Sequence, residues 1–233
     1  MSQLRAIGLT QAEIQAQERT FISQVYLWMA SALVVTAVVA ALVANDVAFV
    51  IQMVTSGLIW VFFIGEIGLV IALSALITRL SAPVATALFF GYAALNGITL
   101  SIIFLVYTDV SIASTFLVTA VTFGAMSIYG YTTQRDLTTI GNFLVMGLIG
   151  FLIASVVNIF LASEAIYWIT TYAGILIFVG LTAYDTQKIK QMASGGLAGG
   201  EASRKASILG ALRLYLDFIN LFLLLLRLLG RRR

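Results

Sequence analysis

Residues 21–44 read FISQVYLWMASALVVTAVVAALVA, an uncharged run that decides what kind of protein the chain can be. At about 1.5 Å per residue such a helix is roughly 36 Å long, enough to cross a hydrocarbon layer of about 30 Å. It is also too long for the apolar core of a signal peptide, so it is read as a retained first span. The apolar residues do not alternate with polar ones, nor do they at Leu223–Leu226. A transmembrane β-barrel is thereby excluded. Over the 233 residues, 61% are hydrophobic and 10% charged, with a mean hydropathy of +1.05. A soluble globule of this size has no interior large enough for that much apolar surface.

Working outward from the first span, Asn45-Asp46 end it and a second apolar region covers 50–78. That region is longer than one crossing needs, so its beginning is expected along the interface, leaving 57–78 as the second span. Arg79 closes it. Pro83, the single proline, suits the first turn of a third span ending near Tyr107, because a first-turn N–H has no intrahelical hydrogen bond to lose. Further spans are expected at 111–131, 141–162, 165–187 and 207–230, with a Gly-rich charged connection from Lys188 to Lys205. The expected organisation is a tail over 1–20, a seven-helix membrane domain over 21–230 and a basic tail over 231–233. In the first tail, Thr10 and Glu13 have capping-box spacing, so this segment is either a short amphipathic helix or an unstructured lead-in.

The 13 basic residues give a net charge of +3 and a pI near 9.3, but they lie mostly in short loops and tails rather than on one folded face. Topology explains them, and nucleic acid is not an expected partner. With the N-terminus cytoplasmic, that side holds Arg5, Arg19, Arg79, Arg135, Lys188, Lys190, Arg204 and Lys205, and the loops around Asp46, Asp109 and Glu164 hold none. This asymmetry follows the positive-inside rule. Arg231, Arg232 and Arg233 depart from it: seven full spans put them outside, whereas a re-entrant last segment returns them to the cytoplasm.

The chain has neither cysteine nor histidine. Thiol and imidazole chemistry, serine–histidine hydrolysis and the usual nitrogen or sulfur metal ligands are therefore excluded. No lysine falls near mid-bilayer, which excludes a retinal protein, and no cofactor is expected. Proton chemistry rests on carboxylates. Ionisable groups inside a bilayer are costly unless paired, which singles out Glu66, Asp185, Arg213, Asp217 and Arg227. At about 100° per residue, Arg213, Asp217, Asn220, Leu224 and Arg227 share a stripe roughly 80° wide on the last span, expected to face the bundle interior. Asp185 and Asp217 lie about equally far from the turn joining their helices and can meet across the pair. Two carboxylates in a low-dielectric site cannot both ionise cheaply and can share a proton. Alternatively, Asp217 pairs with Arg213 one turn earlier and Asp185 is a solvated helix end beside Lys188. Thr115, Thr119 and Thr122, and likewise Gly147, Gly150, Ala154 and Asn158, share helix faces, read as close packing with a water-lined path as the other reading. Asn96, Thr99 and Glu66 extend such a path, or Glu66 simply hydrogen-bonds a neighbouring helix.

Two segments carry a resemblance. Gly180-Leu181-Thr182-Ala183-Tyr184-Asp185-Thr186-Gln187-Lys188, followed by Gly210-Ala211-Leu212-Arg213-Leu214-Tyr215-Leu216-Asp217-Phe218-Ile219-Asn220-Leu221-Phe222, resembles the signature of the Bax inhibitor family, also called the transmembrane Bax inhibitor motif family. The likeness extends to Tyr26-Leu27-Trp28-Met29 and to Ser127-Ile128-Tyr129-Gly130-Tyr131-Thr132-Thr133, and is to the bacterial inner-membrane branch. It implies an all-α bundle with six helices packed around a central C-terminal helix, in a bacterial inner membrane, and a pH-sensitive calcium leak. It also implies that Asp185 and Asp217 are the pH-sensing pair and transient calcium ligands, and that Arg79 is the nearest candidate for a basic latch at the end of the second span. Two other functions are weighed. An intramembrane aspartyl protease would suit paired aspartates, but Leu214-Tyr215-Leu216 replaces the expected Gly-x-Gly and no Pro-Ala-Leu is present. A regulatory subunit that binds a membrane protease or other complex and transports nothing remains as the alternative.

Overall fold

The computed structural model describes residues 11–194 and 200–233, all helix and short turns apart from an isolated bridge involving Tyr107 and Arg232. The helices are α1 (Gln11–Ala44), α2 (Val47–Thr55), α3 (Leu58–Leu76), α4 (Ala82–Leu100), α5 (Ile103–Val106), α6 (Asp109–Thr132), α7 (Thr138–Leu161), α8 (Glu164–Ser194) and α9 (Gly200–Leu229). Seven spans are long and apolar enough to cross a membrane, α4 and α5 together forming the third. The Thr10 and Glu13 capping box and Arg5 lie outside the described residues and side chains.

Local chemistry accounts for the breaks. Asp46 caps α2 by accepting from the Phe49 N–H at 3.0 Å. The nine residues of α2 reach only about 13 Å, too short to span, and they bury Val50 and Met53 while exposing Ile51 and Val54. The chain then turns at Gly57, whose φ of 77° is ordinary only for glycine, and α3 begins. The long second apolar region is thus a helix too short to cross, followed by one long enough to do so. Pro83 lies in the first turn of α4. The α4–α5 break falls at Ser101, whose Oγ donates to the Ile98 carbonyl at 2.7 Å.

The expected loop from Lys188 to Lys205 is much shorter than the sequence suggests. Helix α8 runs on to Ser194 and α9 starts at Gly200, with Ile189 and Ile208 buried and Lys205 paired to Glu201 one turn before it at 3.9 Å. Buried apolar residues and an i,i+4 pair hold helix where composition alone reads loop.

The last helix is continuous from Gly200 to Leu229 and long enough to cross. Beyond Leu229, the Arg231 carbonyl accepts from the Thr108 N–H at 3.1 Å and the Arg231 N–H donates to Ser111 Oγ at 3.0 Å. The arginine tail is therefore tied to the start of α6. A re-entrant segment is ruled out.

The fold divides into two compact units, one of residues 11–107 with the segments from Ile189 to Tyr215, the other of Thr108–Lys188 with Leu216–Arg232. In the first, α1 packs on α4 at Gly97, where an added Cβ would come within 2.7 Å of the Thr36 carbonyl and 2.8 Å of Val39 Cβ. Phe89 and Tyr92 set their ring edges against Tyr215, with centroids 6.1 and 5.6 Å apart. In the second, Phe116 and Phe123 of α6 pack edge-on to Phe218, and Phe178 and Leu181 cluster with Leu221, Leu224 and Leu225. Gly130 admits the Ala183 main chain and Gly141 the Tyr184 ring. The expected glycine stripe on α7 is only partly a packing face: Gly147 meets Ile177, while Gly150 has open space beside it. On α6, Thr115 and Thr119 are buried as packing residues, with Thr119 Oγ1 donating to the Thr115 carbonyl.

Burial follows the solvent of each surface. In α7 none of the apolar window is buried and Phe160 is 83% exposed, as suits a lipid-facing helix. In α9, 72% of the window is buried, the largest share of the seven, as a central C-terminal helix requires.

Replacing Gly130 by Ala should destabilise the protein by about 1–3 kcal/mol, because the new methyl overlaps backbone. Gly124→Ala, one helix face away in open space, should be neutral or stabilising by up to about 1 kcal/mol. Thermal unfolding in detergent compares the two.

Candidate functional site

In the second unit, the segment Ala183–Lys188 is fixed from several sides. Gln187 Oε1 accepts from the Leu137 N–H at 2.9 Å while its Nε2 donates to the Arg135 carbonyl at 2.8 Å, so one amide clamps the α6–α7 loop. Lys188 Nζ donates to Thr138 Oγ1 at 3.3 Å and lies 5.5 Å from the Tyr184 ring centroid. With Ala183 against Gly130 and Tyr184 against Gly141, the turn carrying Asp185 has little freedom. Asp185 itself is half-buried.

Asp217 is 4% exposed, on the most buried helix. In the α8–α9 hairpin, Arg227 Nη1 donates to Thr171 Oγ1 at 3.4 Å, and a Cβ at Gly174 would come within 2.8 Å of Leu224 Cδ1. The Arg227 guanidinium also lies 4.6 Å from the Tyr167 ring centroid. Continued from these pairs, that antiparallel register sets Asp185 level with position 213, one turn or about 6 Å from Asp217 along the helix axis.

The polar stripe of the last span is not enclosed along its whole length. Asp217 and Leu224 are buried and Asn220 is half-buried, donating to the Leu216 carbonyl at 2.8 Å, but Arg213 is exposed. A long cationic side chain nearer the hydrated end of α9 gains more from reaching polar surroundings than from enclosure. Arg79 is also exposed, in the turn after α3, and it does not meet Glu66, which lies thirteen residues earlier.

Glu66 belongs to a different cluster, in the first unit. Its carboxylate accepts from Thr99 Oγ1 at 2.7 Å and from Asn96 Nδ2 at 3.2 Å. Asn96 Oδ1 accepts from the Tyr215 hydroxyl at 3.1 Å, and that hydroxyl lies 2.6 Å from Thr36 Oγ1, which is 2.8 Å from the Ala93 carbonyl it bonds. All five side chains are buried. The sequence reading finds Glu66, Asn96 and Thr99 but misses Thr36 and Tyr215. The available signal is weak: a lone threonine among Val and Ala, and a tyrosine in a Leu-rich helix. Tyr215 and Asp217, two residues apart, leave α9 about 200° apart, so the same turn of helix serves two different polar surroundings.

Outside the spans, Asp136 in the α6–α7 loop accepts from the Thr138 N–H at 2.8 Å. Hydrogen bonds from Thr138, side chain and backbone, hold its carboxyl below the usual aspartate range. The loop gains from this bond above the ordinary aspartate pKa and loses it as pH falls through the lowered one.

Tyr215→Phe should destabilise the protein by about 1–3 kcal/mol, because it leaves the buried Asn96 carbonyl without its donor. Thr36→Val, whose hydroxyl adds to an already bonded tyrosine, should cost less. Thermal unfolding of both variants in one detergent checks the order.

Comparison with known proteins agrees with this architecture. A family model described as Inhibitor of apoptosis-promoting Bax1 matches residues 18–233. The inner membrane protein YbhL of Escherichia coli (strain K12) is 55% identical over 217 residues, 92% of this chain and 93% of that protein. An uncharacterized protein of Deinococcus radiodurans is 42% identical over 223 residues, 96% of this chain and 95% of its own length. The protein RP147 of Rickettsia prowazekii (strain Madrid E) is 44% identical over 216 residues, 92% and 91% of the two chains. With the match extending from within α1 to the last arginine, the chain is a multispan membrane protein that belongs to the Bax inhibitor family.

Proposed function

We propose that this protein is a calcium-permeable leak pathway of the inner membrane, gated by a proton shared between Asp185 and Asp217. The observation that carries the reading is Asp217, a carboxylate almost wholly enclosed on the most buried helix, with the α8–α9 register bringing Asp185 close to its level. An ionisable group in that position is costly and marks a pathway or a switch more often than a structural filler. When the pair holds one proton, the two carboxyls can hydrogen-bond and tie α8 to α9. When the proton leaves, repulsion favours other partners, Arg213 on the neighbouring turn of α9 among them. That exchange is a bistable element. Each unit of pKa coupling is worth about 1.4 kcal/mol, so one or two units move a gate about ten- to a hundredfold.

Calcium suits the same oxygens. It takes six to eight oxygen ligands, and two carboxylates supplemented by hydroxyls and carbonyls would hold it weakly enough to let it pass. Glu66 is read as structural in this scheme, since neutral donors from α4 hold its carboxylate. The N-terminus and the α8–α9 connection are assigned to the cytoplasm, because seven spans put the segments holding Arg19, Arg79, Arg135, Lys188, Lys190, Arg204 and Lys205 on one side, and short cytoplasmic loops retain basic residues.

In liposomes containing only this protein and an internal calcium indicator, flux should vary with pH across the physiological range. Asp217→Asn should flatten that dependence, while Glu66→Gln should keep it. A parent protein that folds but passes no calcium would favour the non-transporting regulatory subunit, and an Asp217→Asn variant with the full pH response would dismiss the pair as sensor. For orientation, a cysteine at exposed Ala202 in this cysteine-free chain should be labelled only from the cytoplasmic side. Labelling only from the opposite side would invert the topology.

A further inference from the structure

In the first unit, α1 and the start of α9 enclose a groove of about 470 Å³ lined by Gln24, Leu27, Trp28, Gly200, Ser203 and Arg204. Its two walls differ in chemistry. Leu27 is 67% exposed and continues into a stripe of exposed Val34, Val38 and Leu42 along α1, an outward face that suits hydrocarbon. The groove opens at one end of that stripe, where Arg204 lines it and Lys205 follows in sequence. Trp28 sits between the two regimes, in the place aromatic side chains favour at a membrane interface.

The neighbouring cations are used differently. Lys205 is committed internally: its Nζ pairs with Glu201 and donates to the Leu80 carbonyl at 3.0 Å and to the Thr78 carbonyl at 3.4 Å. The Arg204 guanidinium instead lies 5.8 Å from the Trp28 ring centroid, exposed, and no carboxylate pairs with it among the described residues. The other nearby acids are engaged elsewhere, Glu201 also capping the Ala82 N–H at 3.0 Å and Glu18 accepting from Ser194 Oγ at 3.3 Å. The Gln24 amide and the Ser203 hydroxyl make no hydrogen bond among the described residues, and both line the groove. A guanidinium, an amide and a hydroxyl thus converge with their donors unused, beside an apolar wall that leads into the bilayer.

We propose that this groove binds the headgroup of an anionic phospholipid. Arg204, Ser203 and Gln24 donate to the phosphodiester, and the acyl chain lies along Leu27 and the exposed face of α1. A soluble anion would satisfy the donors but would leave the apolar wall without a purpose, which is why a lipid is the occupant. The site is independent of the aspartate pair, and its failure would leave the proposed gate untouched.

The test uses Trp28 as the reporter. With Trp60→Phe and Trp168→Phe, Trp28 is the single tryptophan, and its quenching is compared in vesicles carrying phosphatidylglycerol or phosphatidylcholine brominated near the headgroup end of the acyl chains. Phosphatidylglycerol should quench with about fivefold higher apparent affinity, the factor expected for one basic residue near an anionic surface, and Arg204→Gln should abolish that preference. Equal quenching by the two lipids, or a preference unchanged in Arg204→Gln, would overturn the site. So would loss of the preference on adding millimolar inorganic phosphate, which would make it a soluble-anion site. If the double tryptophan replacement does not fold, native mass spectrometry of the otherwise unaltered protein and of Arg204→Gln decides instead. Retained phosphatidylglycerol that depends on Arg204 supports the proposal, and equal retention by both overturns it.

Discussion

A polar group on the most buried helix of a membrane protein has to find its partner within the protein, because lipid offers none. Helix α9 carries two such groups on one turn, Tyr215 and Asp217, and much of the structure is arranged around them. Tyr215 is fully buried and reaches Asn96 on α4 and Thr36 on α1, and Asn96 in turn donates to Glu66. Gly97 is needed in the same place, since the close approach of α1 to α4 that brings Thr36 to Tyr215 leaves no room for a side chain there. Asp217 belongs to the second unit, where Gly130, Gly141 and Gln187 hold the turn that carries Asp185.

This explains why hydrophobicity alone says so little about the bundle. Every span is apolar, and burial distinguishes them only by degree: α7 spends its apolar residues on lipid, α9 on neighbouring helices. What differs between them is where the hydroxyls, amides and carboxylates fall. In lipid these act as the specific contacts that choose one packing over many of similar apolar area.

Much of the fold was legible in the sequence, for reasons that can be traced to particular residues. The excess length of 50–78 points to a separate short helix before α3, and Pro83 marks the start of α4. The arginine tail was not legible, because counting charges ignores hydrogen bonding at a chain end; the Thr108 and Ser111 contacts that anchor it join positions about 120 residues apart. The glycines of α7 were over-read for a related reason. Whether a glycine marks close approach depends on the residue opposite, so Gly150 and Gly130 look alike in sequence and only Gly130 meets a partner's backbone. At the candidate sites, carboxylates stood out by cost, and Thr36 and Tyr215 did not, since hydroxyls are common enough in spans to pass as packing. The stripe on the last helix was read as uniformly inward, and Arg213 shows where helical periodicity stops being informative: a shared face near the end of a span can open outward.

The central claim is that Asp185 and Asp217 share one proton, and infrared difference spectroscopy on the purified protein tests it directly by following protonated carboxyl bands through a pH titration. A shared proton predicts that Asp185→Asn alters the band belonging to Asp217, and that Asp217→Asn alters the band belonging to Asp185, because each carboxyl titrates only in answer to the other. Two bands that titrate independently, each removed by its own substitution and unmoved by the other, would contradict the account.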